Sequence, residues 1–510
     1  MTGGDLVLGV DVSTTAAKAI VVDAGGRTQA EGKASFPLDN PSPGAWEQDA
    51  LAWKEATFRA ISAAIAMLDD VDRKRVRTLA IAQQRETFVV TDRDGTPLAP
   101  AIVWMDARSK PEVATVSAEL TADAIHELSG KVPCTTPSLY KIRMLLGRLR
   151  PALQKAPKRL LDVHAFVVHA LTGRFVTSTA AADPLGIVDM RRAEWSEPLY
   201  RAALLERDSL CDLVEPGAPI GNVLPEVATA LGLSRDVLVV GGAGDGQAAG
   251  LGAGATSDGT AYLNVGTAVV AGVPARKFRV SRAFRTLFGA MPGTYLYESD
   301  LKGGTLTLDW LADRILGGGR FERTDARTAT LAALEEKARA LPAGAGGLLA
   351  LPYWAGVMNP HWDDDAGGAL VGLRADHGPE HLYRAICEGL GFEHRLVFEL
   401  IEKETQPISS IVAVGGATKS AFLLNLFSTV LDRALLRSDA EETTALGAAI
   451  LAAPHAGLHD SIEIAARAMV RVHPGAQPGP DAERYRELYE RGYRGLYTAL
   501  APLLATLSSG

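Results

Sequence analysis

Two short stretches, half a chain apart, repeat one pattern. LVLGVDVSTTAAKAIVVDAGG, residues 6–26, reads as an apolar strand, a small polar turn and a second apolar strand that ends at Gly-Gly. TAYLNVGTAVVAGV, residues 260–273, again folds two apolar runs about a Gly-Thr turn. Apolar runs of this length bounded by turn residues predict β-hairpins. A supersecondary unit that returns in the second half predicts two lobes on related plans. The length agrees, because 510 residues exceed what one hydrophobic core organises.

Between the hairpins, DALAWKEATFRAISAAIAML (49–68) carries apolar residues at helical spacing, while VRTLAIAQQ (76–84) and FVVTDRDGTPLAPAIVW (88–104, turned at Asp94-Gly95) read as strands. In the second half a helix beginning near Pro379 precedes strand-like ISSIVAVGGATKS (408–420), and FLLNLFSTVL and TTALGAAILAA (443–453) read as helices. This alternation predicts an α/β architecture with helices covering the sheets. The glycine-rich run after Asp245 marks the boundary, dividing the chain into 1–250 and 251–510. HPGAQPGP (473–480) reads as a linker that ends the ordered core of the second lobe. Tyr485, Tyr489, Tyr493 and Tyr497, four residues apart, form a packing stripe on the last helix.

A formal charge of −8 without blocks of like charge points away from nucleic acid and anionic membranes. No basic-then-apolar leader and no run of 18 apolar residues occurs, which makes the cytoplasm the expected compartment and membrane contact unexpected. A homodimer is compatible with this composition. Cys134, Cys211 and Cys387 stand far apart and outside metal or redox spacing, so they are expected as core thiols.

Chemistry concentrates at the turns. Asp11-Val12-Ser13-Thr14-Thr15 offers amides and hydroxyls to an anion and a hard carboxylate to Mg²⁺, with Lys18 just beyond as a point charge. The alternative is a plain hairpin turn with solvated hydroxyls. Gly266-Thr267 could close on the same phosphates from the other lobe. In VVGGAGDGQAAGLGAG (239–254), small neighbours leave Asp245 the single acid, free to accept a proton from a hydroxyl while substrate and triphosphate approach the backbone. A tight interlobe turn with Asp245 capping a helix is the other reading. Arg85 and Glu86, at the end of a strand, can serve a polyol's hydroxyls, with Trp104 against its carbons and Gln247 as a further substrate contact. A surface ion pair competes with that reading. GATKS lacks the glycine of a Walker loop, GDGQAA fits a dinucleotide fingerprint only loosely, and Gly378-Pro379 breaks the helix that HGPEH would need to bind zinc.

Taken in order, LGVDVSTTAAKAIVVD, QQRETFVVTDRDGTPLAPAIVWMDAR, LTGRFVTSTAAA, GGAGDGQAAGLGAG, NVGTAVVAG, LPYWAGVMNPHWDDDAGGALVGL, VAVGGATKS and ETTALGAAILAA resemble the FGGY family of carbohydrate kinases along nearly the whole chain. The resemblance implies two actin-like (ribonuclease H-like) lobes with ATP and a sugar or polyol in the cleft. It implies Asp245 as general base, Asp11 organising Mg²⁺, Thr14, Thr15 and Thr267 along the phosphates, and Gly415, Gly416 and Ala417 near the nucleotide. Arg85-Glu86 is similar to the polyol-contacting pair of glycerol kinases, whereas WMDAR (104–108) is similar to the WxDxR stretch of pentulose kinases. AGG at 366–368 replaces the Ala-Arg-Gly of many relatives and removes a positive charge there, and Val357-Met358 lacks the charges that many sugar-kinase members carry after the preceding glycine. The expected activity is ATP-dependent phosphorylation of a small ketose or polyol, foremost a pentulose such as xylulose. Glycerol kinase is the alternative, and an actin- or Hsp70-like ATPase switch a remote one.

Overall fold

The opening hairpin forms where the sequence places it. Strand β1 (Leu6–Val12) pairs antiparallel with β2 (Ala16–Val22), and between them the Ser13 amide and hydroxyl both donate to the Ala16 carbonyl at 3.0 and 2.9 Å. The computed structural model describes residues 4–266, 268–317 and 325–508. β3 (Thr28–Ser35) adds antiparallel to β2, β4 (Val76–Gln83) lies parallel to β1, β6 (Leu238–Gly244) parallel to β4, and β5 (Pro219–Asn222) pairs antiparallel with β6. The sheet order is β5-β6-β4-β1-β2-β3. Helices cover both faces, which is why β1 is buried at every position and reads as a continuous apolar run broken at Asp11.

The second lobe repeats the plan. Its strands are β7 (Thr260–Val265), β8 (Val269–Ala275), β9 (Arg285–Phe288), β10 (Tyr295–Leu301), β11 (Ser410–Val414), β12 (Leu435–Ser438) and β13 (Val472–Ala476), in the order β9-β10-β8-β7-β11-β12-β13. The paths β3-β2-β1-β4-β6-β5 and β10-β8-β7-β11-β12-β13 share one sequence of directions: two antiparallel pairings, two parallel, one antiparallel. The hairpin repeat read from sequence is thus the visible part of a repeated six-strand unit, with β9 added at one edge. One expectation fails: the start of HPGAQPGP is β13 rather than linker. β13 is an edge strand, where proline's missing amide costs no ladder bond.

Helix α1 (Ala50–Ala66), capped by Asp49 accepting from the Leu51 amide, buries Trp53, Ala60, Ile61 and Ala64 on the first sheet. α3 (Pro379–Glu404) and α4 (Ala421–Leu431) pack into the core of the second lobe. Two helices made mostly of small residues join the halves. α2 (Asp245–Gly252) leaves β6, and α5 (Thr443–Ala452), although from the C-terminal half, lies on α2 and on β1 of the first sheet. A Cβ on Gly252 would stand 1.9 Å from the Thr443 carbonyl oxygen, one on Gly447 1.9 Å from that of Ala248, and one on Gly9 1.9 Å from that of Ala445. These contacts are backbone on backbone. A second tie crosses from residues 364–365: Asp364 Oδ2 accepts from the Thr135 amide (2.9 Å) and hydroxyl (3.0 Å), while Lys302 reaches Oδ1 at 3.2 Å.

The tyrosine stripe packs as expected, and each hydroxyl also finds a carboxylate: Tyr485 on Glu388, Tyr489 on Glu399, Tyr493 on Glu393 and Tyr497 on Asp363, at 2.6–2.8 Å. The three cysteines are buried free thiols.

Candidate active site

β1, β4 and β6 run parallel and end at one edge of the first sheet, with Val12 and Gly244 both opposite Gln83. Asp11 is the penultimate residue of β1, Arg85 and Glu86 follow β4, and Asp245 follows β6. Topology alone therefore gathers four residues scattered over 235 positions at the carboxyl ends of parallel strands, where open α/β sheets bind ligands. Glu86 adopts φ 53°, a left-handed conformation that costs a non-glycine residue roughly 1–2 kcal/mol. Local strain of this kind persists where surrounding structure holds a functional side chain in place.

Asp245 opens α2 with its side chain 39% exposed, and its Oδ1 accepts from Arg85 Nε at 2.8 Å and from the Gly246 amide at 2.7 Å. Enclosure raises its pKa above the ordinary aspartate value against the pull of Arg85, and solvent at the open side screens part of both effects. Arg85, only 7% exposed, continues inward: Nη1 donates to both oxygens of Glu298 at 2.8 and 2.7 Å. Glu298, on β10 and fully buried, also receives Arg285 at 2.5–2.7 Å and the Tyr262 hydroxyl at 3.1 Å. Arg285 closes the chain on Glu86 at 2.7 Å. Burial alone would raise the Glu298 carboxyl, but the two guanidiniums outweigh it and hold it below the ordinary range. The second lobe thus inserts charge beneath the edge where β1, β4 and β6 end.

The glycines beside Asp245 serve this network. A Cβ on Gly244 would lie 2.5 Å from Arg85 Cδ, and one on Gly246 2.8 Å from both Arg85 Nη2 and Glu298 Oε2. The sequence reading reserved that space for substrate and triphosphate; protein side chains and the backbone of α5 take part of it.

Asp11 is 7% exposed and its Oδ1 has no hydrogen-bond partner. Burial, then the neighbouring Asp245 charge, pushes its pKa up to about 8 against the opposing charge of Lys18. A buried carboxylate oxygen with an unused lone pair fits a cation. Mg²⁺ is usually held by one or two carboxylates plus phosphates, a role the Asp11 oxygen fits. Lys18, expected as a phosphate charge, is held by both oxygens of Glu442 at 2.9 and 2.7 Å, at the start of α5.

Thr15 is exposed at the first hairpin, and Thr14 Oγ1 accepts from Trp104 Nε1 at 3.0 Å, which joins the phosphate turn to the expected sugar wall. In the second lobe, Gly266 lies in the equivalent turn. Gly415, at φ 92°, packs so close to the end of β7 that a Cβ would stand 2.3 Å from Asn264 Oδ1, while a Cβ on Gly416 would meet nothing within 4 Å. Gly416 opens a short 3₁₀ turn to Lys419 that includes Ala417. Thr267 lies outside the described residues.

Trp104 is fixed through its backbone: its amide donates to Thr87 Oγ1 at 3.0 Å, and its carbonyl accepts from the buried Lys141 at 2.9 Å. Burial lowers the Lys141 ammonium to about 8. Gln247 departs from expectation. It is 2% exposed and donates to the Ala180 carbonyl at 2.9 Å, inside the first lobe. Its Oε1 has no hydrogen-bond partner and lies against Gly244, where a Cβ would stand 2.3 Å from it and 2.5 Å from Arg85 Cδ, so Gln247 packs behind Arg85. Sequence reasoning missed Glu298, Arg285, Tyr262 and Lys141. A signal existed for the first two: the charged Glu298 and Asp300 in YLYESDL and Arg285 in RTLF stand among large apolar residues, and charge in such strands demands buried partners. A cavity of about 360 Å³ lined by Arg276, Met291, His455 and Ile462 among others shares no lining residue with this site.

Residues 6–252 match the N-terminal domain, and residues 261–456 the C-terminal domain, of the FGGY family of carbohydrate kinases. The chain is 28% identical over 512 residues to the xylulose kinase of Bacillus subtilis (strain 168), covering 99% of each. It is 30% identical over 490 residues to the glycerol kinase of Thermococcus gammatolerans, covering 95% of each. The solved structure of xylulose kinase from Rhodospirillum rubrum matches with a TM-score of 0.86 at 26% identity, covering 98% of this chain and 100% of that one. With both halves matched in order over residues 6–252 and 261–456, the chain belongs to the FGGY family of carbohydrate kinases.

Proposed function

We propose that the protein transfers the γ-phosphoryl group of ATP to a hydroxyl of a small uncharged ketose, foremost a pentulose such as xylulose, with Asp245 as general base. The observation that carries this reading is the Asp245 carboxylate, open to the cleft and anchored on one oxygen by Arg85. The hydroxyl proton passes to Asp245, the hydroxyl oxygen bonds to the γ-phosphorus, and the bond from that phosphorus to ADP breaks. Phosphoryl transfer needs positioning and charge neutralisation, with no covalent enzyme intermediate. Arg85 keeps Asp245 oriented and ionised, Trp104 and Glu86 wall the sugar, and the turns at Thr14-Thr15, Gly266-Thr267 and Gly415-Gly416-Ala417 grip the phosphates from both lobes. Asp11 would hold Mg²⁺, which when bound neutralises phosphate charge. The division at residues 250/251 assigns sugar and phosphate contacts to the first lobe and the nucleotide to the second.

Glycerol or another polyol is the second reading, favoured by Arg85-Glu86 and by the 30% relative. A coupled ADP-release assay across D-xylulose, D-ribulose, glycerol and erythritol separates the two. Highest kcat/KM on a pentulose is expected, preference for glycerol installs the second reading, and no stimulation of ATP turnover by any of them removes both.

A further inference from the structure

Arg85 and Arg285 are the two guanidiniums of the ion-pair network that ends on Asp245, and both are engaged by carboxylates. Asp245, Glu298, Glu86 and Asp300 surround them, with Glu298 alone bonded to both. Asp245, Arg85 and Glu86 come from the first lobe, whereas Glu298, Arg285 and Asp300 come from β9 and β10 of the second. The arrangement is therefore complete only while the lobes engage. The missing side chain of Gly246 is what admits Glu298 to the first turn of α2.

We propose, resting on the kinase reading above, that Glu298 is a positioning and specificity-determining residue: it holds Arg85 on the base and cancels the guanidinium charge that a carboxylated sugar would need. The first role is geometric. Glu298 holds Nη1 with both oxygens while Asp245 holds Nε, so the guanidinium is pinned at two of its nitrogens and Nε stays on Asp245. The second is electrostatic, because a guanidinium whose charge is matched by a buried carboxylate gives an incoming acid nothing to pair with, and the excess carboxylates repel it.

Two variants separate the roles. Glu298→Gln keeps the shape and removes the charge; Glu298→Asp keeps the charge and withdraws it by one methylene. In Glu298→Gln, kcat on the neutral sugar should fall at least ~10-fold with ATP affinity unchanged, while the ratio of kcat/KM for D-gluconate over that for D-xylulose should rise at least ~10-fold. In Glu298→Asp, kcat should fall while that ratio stays at the wild-type value. A damaged fold lowers activity on both sugars and cannot raise the ratio. An unchanged ratio in Glu298→Gln, or wild-type turnover in Glu298→Asp, overturns the proposal. Should Glu298→Gln not fold, Glu298→Asp and competition on the unaltered enzyme decide: D-gluconate should inhibit only at concentrations ~100-fold above the KM for the neutral sugar, and comparable potency overturns the proposal. If the wild type phosphorylates gluconate in preference to every neutral sugar, this inference alone fails; if it phosphorylates nothing, the kinase reading fails and takes the inference with it.

Discussion

Gly447→Ala tests whether the proposed base, Asp245, depends for its position on a helix that follows it by about two hundred residues. The new Cβ would lie 1.9 Å from the Ala248 carbonyl oxygen, 2.6 Å from its carbon and 3.0 Å from its Cα, where ordinary contact begins at 3.4 Å. Backbone cannot rotate aside as a side chain can, so α2 and α5 must part by about 1.5 Å. Overpacking of this kind costs ~1–3 kcal/mol, offset in part by the ~1 kcal/mol by which alanine exceeds glycine in a helix. The expected fall in Tm is a few degrees, at roughly 2–4 °C per kcal/mol for domains of this size. The kinetic effect is larger. Ala248 lies one turn beyond Asp245 on a helix of eight residues, so a shift at one end moves the other. Misplacement of a reacting group by about 1 Å costs on the order of 10²-fold in turnover. We expect kcat to drop ~100-fold at saturating ATP and sugar in a coupled ADP-release assay, with the melt followed by circular dichroism. Gly495→Ala, whose Cβ would meet nothing within 4 Å, is the matched control and should leave both unchanged. Turnover of Gly447→Ala within about threefold of wild type would refute the claim that backbone contact between these helices sets the position of the base.

Asp245→Ala should lower kcat ~10²–10⁴-fold with the fold intact, and full activity would remove Asp245 from the mechanism. Asp364→Ala frees Thr135 and Lys302 of their shared acceptor across the lobes. A higher KM for the sugar and less compaction by small-angle scattering with both substrates bound are expected, and unchanged values of both would show that the tie does not govern closure. His164, buried and accepting from the Gly242 amide at 2.9 Å, has its pKa lowered by burial to about 3. Below its unfolded value of about 6.5 the unfolded chain binds the proton first, so stability from the neutral ring is lost as pH falls from 6.5 towards 3. This one group should remove ~2 kcal/mol between pH 7 and pH 5. His164→Gln should lose that component, read as the difference in urea-unfolding free energy at the two pH values, and an identical pH slope in the variant would contradict the assignment.

What the sequence made legible was whatever rested on local pattern. Apolar runs around Asp11 and Asn264 disclosed the hairpins because strand period and turn chemistry are encoded within a dozen residues. The carboxylates at 11 and 245 stood out because each interrupts a run that is otherwise apolar or small. What stayed hidden depended on one lobe entering the other. By sequence Lys18 is expected as a phosphate cation, yet Glu442, 424 positions later, holds its ammonium. Arg85 is by sequence open to a polyol contact or a surface ion pair; the structure shows it buried, linking Asp245 to Glu298. The glycines around Asp245 are expected to leave room for substrate and triphosphate, but composition cannot say what approaches. Here it is a glutamate, a guanidinium and the backbone of α5. Buried charge without a local partner is therefore the sequence signal to pursue: Glu298, with Asp300 two residues on in the same strand, costs several kcal/mol when buried unpaired, so the pair calls for cations or hydrogen-bond donors from elsewhere in the chain.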